Sequence, residues 1–165
     1  MIKASASRKA RSGGSEIIEF ALLMVPAFLL TFMILDVSMV IFLRCTFQHA
    51  VREGVRYAIT GAYNPAAPAG HNGQDDAIKA VVQTSALGFL NGTAAATIHV
   101  HWIDPVTGAV ADNSMGNIVE VSVEAYSHSA LAPYLRLGFP VRIWARAYDI
   151  MQFVPGTKPP LTNVE

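Results

Sequence analysis

The hydropathy pattern opens on a short polar stretch and then an almost unbroken apolar run from Ile17 to Leu43. At about 1.5 Å per helical residue, its roughly 27 residues exceed the ~20 that cross a bilayer. Beyond Arg44 the pattern changes but does not stop. Phe47, Ala50, Val51, Val55, Ala58 and Ile59 recur at spacings of three and four, which is one face of a helix. Arg52, Glu53 and Arg56 fall mostly off that stripe. Gly61, followed by Asn64-Pro65, supplies the chemistry that ends a helix. The first predicted element therefore runs from Ser15 to about Thr60, with Pro26 as its expected kink.

The rest of the chain reads as a small domain. Gly61 to Gly73, rich in Pro, Gly and Ala, is a loop. A second helix is predicted from about Gln74 to Leu90, with Asn72 as N-cap, Asp75 and Asp76 in its first turn, and Asn91-Gly92 closing it. Its apolar face holds Ile78, Val81, Val82, Ser85 and Phe89, suited to packing on a sheet.

Three strands follow by alternation. Ile98, Val100 and Trp102 oppose Thr97, His99 and His101; Val119, Val121, Val123 and Ala125 oppose Glu120, Ser122 and Glu124. After a crossover from Ser129 to Pro140, Arg142, Trp144, Arg146 and Tyr148 oppose Ile143, Ala145 and Ala147. The expected fold is α+β: a long N-terminal transmembrane helix extending into a head with one packed helix and a three- to four-stranded antiparallel sheet. The divisions are a basic leader (1–14), the long helix (15–60), the head (61–154) and a flexible tail (155–165).

Composition agrees: 52% of the residues are hydrophobic and only 15% charged, below the ~25% usual for soluble domains. Charge then orients the span. The leader holds Lys3, Arg8, Lys9 and Arg11 and no acid, and a short positive flank stays cytoplasmic. The head is thereby placed outside, in the periplasm if the membrane is a bacterial inner membrane. The remainder carries eight basic against twelve acidic residues, which excludes a broad nucleic-acid surface. A cleaved signal peptide fits poorly, because its apolar region is ~7–15 residues and ends at small residues. Here the small residues, Ser12-Gly13-Gly14-Ser15, precede the run. Cys45 is the only cysteine and is read as a packed small residue, with an intersubunit disulfide as the minor alternative.

Two stretches carry a family resemblance. Gly13-Gly14, then Ser15-Glu16-Ile17-Ile18-Glu19-Phe20 and the apolar run, resembles the start of a type IV prepilin. The stretch Ala50-Val51-Arg52-Glu53-Gly54-Val55-Arg56-Tyr57-Ala58 resembles the block that follows the membrane helix in TadE-like pseudopilins of tight-adherence (Tad) pili. Asp36 also stands where that family often has an acidic residue, whereas Met39 departs from its common basic residue. Leu131-Ala132-Pro133-Tyr134-Leu135 adds a weaker likeness near the last strand.

The resemblance implies a minor pilin, cut between Gly14 and Ser15 by a prepilin peptidase in the cytoplasmic membrane and used to assemble, initiate or cap an adhesive pilus. It implies the major pilin, a sibling minor pilin and an inner-membrane assembly platform as partners, and no cofactor.

The residues leave pairs of readings open. Glu19, beside Phe20, either pairs with the α-amine that cleavage would create or sits in headgroup water at the positive helix start. Asp36, near Thr31 and Ser38, either joins a neighbouring helix or is solvated at the end of the span. Arg52, Glu53, Gly54, Arg56 and Tyr57 form either a docking block or a salt-bridged helix side. His99, His101, Glu120 and Glu124 could ligate a metal, but a Glu/Arg ladder with Arg142 and Arg146 accounts for them more simply. No catalytic motif appears. The rival functions are a permanently anchored single-pass protein with a binding head and a metal-dependent periplasmic enzyme.

Overall fold

A computed structural model describes residues 13–68, 70–129, 140–152 and 158–162. The leader up to Ser12, the stretch Leu131–Leu135 and parts of the expected tail lie outside them. Helix α1 runs from Gly13 to Ile59 through Pro26 without ending there. It ends where expected: Gly61 takes φ 65°, and its N–H donates to the Ala58 carbonyl at 3.0 Å. This left-handed glycine closes the helix at no steric cost.

The chain turns back into α2 (Gln74–Ser85), passes a short 3₁₀ segment (Gly92–Thr97), and builds β1 (Ile98–Ile103), β2 (Ile118–His128) and β3 (Val141–Ile150). The sheet is antiparallel in the order β1-β2-β3, so the sheet comprises three strands among the described residues. The alternation predicted its faces. Ile98, Val100, Trp102, Val119, Val121, Val123, Ile143 and Ala145 are buried, against the upper part of α1 and α2. Phe47 sits at the centre of this layer, its ring edge-on to Tyr126 at 4.8 Å.

Four details depart from the sequence reading. First, α2 stops at Ser85 rather than Leu90, because Leu87 (φ 54°) and Gly88 (φ 85°) turn left-handed. Second, its N-cap is Gly73, not Asn72, and no side chain caps it. Third, the alternation of β2 breaks at Ala125. That residue takes φ 54°, the register shifts between Val123 and Tyr126, and Tyr126 replaces Ala125 on the core side.

Fourth, the expected loose tail is tied down over 158–162. Pro160 accepts the Gln74 N–H at 2.8 Å, Thr162 Oγ1 accepts the Gly73 N–H at 3.0 Å, and the Thr162 N–H donates to Asp75 Oδ1 at 2.8 Å. The first two satisfy the N–H groups of Gln74 and Gly73 at the open start of α2, and the third ties the tail to its first turn. A side chain at position 73 would collide with Thr162, which is why glycine stands there. Buried Gln74 completes the joint: its Nε2 donates to the Ala58 carbonyl at 2.8 Å, and its Oε1 accepts from Asn113 Nδ2 at 2.7 Å. The end of α1, the start of α2, the 113 loop and the tail thus meet at one pole of the head.

Candidate assembly helix and its docking block

Helix α1 has two unlike halves. From Ser15 to Leu35 every residue is exposed, including Phe20, Phe28 and Phe32, and the segment's mean hydropathy reaches 2.4 over an 18-residue window. Burial begins at Asp36, followed by Leu43, Thr46, Phe47, Ala50, Val51, Gly54, Val55 and Ala58. The exposed part, about 21 residues or roughly 31 Å, matches the ~30 Å hydrocarbon core of a bilayer. The apolar run is therefore shared: its first two thirds face outward all round, and its last third already belongs to the head.

Gly14 and Ser15 lie in the first turn of α1, exposed, and a side chain at position 14 would meet nothing within 4 Å. The first-turn backbone N–H groups have no intrahelical acceptor. Glu16 and Glu19 follow on the exposed helix. Thr31 and Ser38 turn their hydroxyls inward on the helix itself, donating to the Ala27 and Ile34 carbonyls at 2.9 and 2.7 Å. Asp36 is only 3% exposed and engaged within the chain.

The candidate docking block divides by side. Gly54 faces inward: an added Cβ would lie 2.6 Å from Val82 Cγ2 and 3.5 Å from Ile78 and Val121 methyls. Its missing side chain lets α1, α2 and β2 come together inside the head. Tyr57 is half-buried against the core and lines a shallow groove of about 320 Å³ between the end of α1 and α2. The outer side shows Arg52 and Arg56, with Arg56 Nη1 3.2 Å from Glu53 Oε1. That exposed pair contributes little stability, so these charges remain free to meet a partner. Cys45, expected to be packed, is exposed on α1 one residue beyond Arg44. The helix stripe that packs runs through Leu43, Phe47 and Ala50, leaving position 45 outside it.

The open sheet face carries the anticipated ladder at Arg146, while Arg142 stands opposite Ser127, past the β2 bulge. Arg146 stands opposite Ser122 and reaches Glu120 Oε1 at 3.2 Å and Glu124 Oε1 at 3.6 Å. His99 and His101 stack at 6.0 Å between ring centres. Among the described residues no group of three or more His, Cys, Asp or Glu is placed to hold a metal ion.

At the far pole, Lys158 and Ser114 hold the Asp112 carboxyl down at a pKa of about 2. Hydrogen bonds from the Val106 N–H and the Thr107 hydroxyl likewise lower Asp104. Asp104-Pro105-Val106-Thr107-Gly108 reads as a turn from sequence alone, whereas the loop at Asp112 was missed; Asp112-x-Ser114 was its available signal.

Together these features define a long, exposed apolar helix, compatible with a single-pass membrane anchor, that continues unbroken into an α+β head. Residues 14–56, which lie within the long helix, match the model of the TadE-like protein family. No curated protein and no solved structure shows significant similarity to the chain.

Proposed function

We propose that this chain is a minor pilin of a Tad-type pilus, cut after Gly14 and incorporated through α1. One observation carries the reading: the TadE-like match coincides with a helix that is exposed and apolar all round over Ser15–Leu35 and begins at a diglycine followed by Glu19. An apolar cylinder so bare suits two environments in turn, first lipid and then a bundle of like helices. The new α-amine of Ser15, in this subunit or a neighbour, would pair with Glu19 once lipid is left behind, because a carboxylate in apolar surroundings needs a partner. Arg52, Glu53 and Arg56 would meet the platform, the major pilin or a sibling minor pilin. Tyr57 would border that contact, while Gly54 and Asp36 act within the subunit. The head performs no catalysis in this reading; the prepilin peptidase supplies it. The head would face the periplasm and the leader the cytoplasm, as the positive flank requires.

Mass spectrometry of the mature N-terminus tests this. A chain beginning at Ser15 supports the pilin reading, and an intact Met1 in cells with an active peptidase supports a permanent anchor. A Glu19→Gln chain that is normally processed should assemble poorly; normal assembly would defeat the proposed pairing.

A further inference from the structure

We propose that the turn Ala86–Leu90, with Leu87 at its tip, is a second membrane contact that rests in the interfacial layer of the bilayer crossed by α1. The inference builds on the membrane-span reading of α1 and adds a lipid partner for the head.

Helix α2 runs antiparallel to α1. Its start is bonded to Ala58 at the far pole, and its end is fixed near the span, where Phe89 packs edge-on to Phe42 with ring centres 6.2 Å apart. Phe42 lies seven residues past Leu35, or about 10 Å along the helix and less along the normal of a tilted span, at the outer edge of the headgroup layer above a ~30 Å core. Exposed apolar residues stand on both elements beside that contact: Val37, Ile41 and Phe42 on α1 are 48%, 57% and 47% exposed, and Leu87 is 69% exposed.

Two further observations point to lipid. Leu87 holds φ 54°, a conformation normally left to glycine, and in it presents a bulky apolar side chain outward. The sequence from Ala80 to Ile103 contains no Asp, Glu, Lys or Arg, so no ion must be dehydrated when the turn meets the membrane. A charge-free apolar tip at the height of the interface is what a monotopic contact requires.

The test uses the full chain in phospholipid vesicles, with Cys45→Ser as background and an environment-sensitive fluorophore attached at Leu87→Cys. Leu30→Cys, in the span, and Val106→Cys, 90% exposed in the loop after β1, serve as references. Lipids carrying a quencher near the top of the acyl chain should quench position 87 several-fold more than position 106. Equal, weak quenching at 87 and 106, with strong quenching at 30, overturns the membrane contact and leaves the span intact. Weak quenching at 30 overturns the span reading and the proposal with it. Protection of position 87 that follows protein concentration rather than quencher-lipid content points to a second copy and also overturns the proposal.

Discussion

The two halves of α1 share one backbone and are solved by different rules. Between Ser15 and Leu35 the helix has no polar side to hide, and its apolar residues point in every direction. Between Asp36 and Ile59 only one side is buried, while Val37, Ile41 and Phe42 and then Arg44, Arg52 and Arg56 stay outside. Hydrophobicity alone does not separate them, since the apolar run crosses the boundary. What separates them is angular: an all-round distribution needs a nonpolar solvent, whereas a stripe at period 3.6 needs a partner surface.

Substitutions of like residues in the two halves should therefore differ sharply. Phe47→Ala, which opens a cavity beside Tyr126, should cost the head about 3–5 kcal/mol. Phe28→Ala, 54% exposed on the span, should leave head stability within about 0.5 kcal/mol. Denaturant unfolding of the detergent-solubilised chain, followed by tryptophan fluorescence, measures both. The glycines repeat the contrast more gently. Gly54→Val should destabilise by about 1–3 kcal/mol through overpacking on Val82 and Ile78. Gly14→Ala should leave the unfolding curve unchanged, whatever it does to processing.

The far pole gives effects of similar size and smaller. Asn113→Ala leaves buried Gln74 Oε1 without its donor and should cost about 1–3 kcal/mol, read as a lowered melting temperature. The Asp112–Lys158 pair is exposed, so solvent screening holds its contribution below about 1 kcal/mol. Its folded pKa lies below the ordinary 3.8, so the stabilisation is full above that value and is lost as pH falls toward about 2. Asp112→Asn should flatten that acid limb of a stability–pH curve by removing the stabilisation at neutral pH, a loss below about 1 kcal/mol, and should change little near pH 2.

Much of this architecture was readable from residue order. The inward positions of β1 and β3, the stop at Gly61 and the Glu120–Arg146–Glu124 ladder all follow from period-2 or period-3.6 spacing and local chemistry. What escaped was decided by tertiary contacts. Ala125 and Leu87 adopt left-handed backbone without being glycine, so neither the β2 bulge nor the early end of α2 had a local signal. Gly73 needs no capping side chain because residues 160 and 162, distant in sequence, bond the helix start. The inward role of Gly54 was invisible for the same reason: a helix glycine reads alike whether its neighbour is another subunit or its own α2. The prepilin-like start and the block at 50–58 were legible as motifs, and the family match covers both up to Arg56.

The most direct test of the two-solvent helix is a spin-label scan along α1, from Phe20 to Ile59, in the full chain reconstituted in bilayers with Cys45→Ser. Collision with oxygen and with a water-soluble relaxant should show lipid exposure without periodicity up to Leu35. Beyond Asp36 it should oscillate with a period near 3.6, with minima at Leu43, Phe47, Ala50 and Val51. Oscillation of that period through Phe20–Leu35, or free access of the water-soluble relaxant there, would contradict the account.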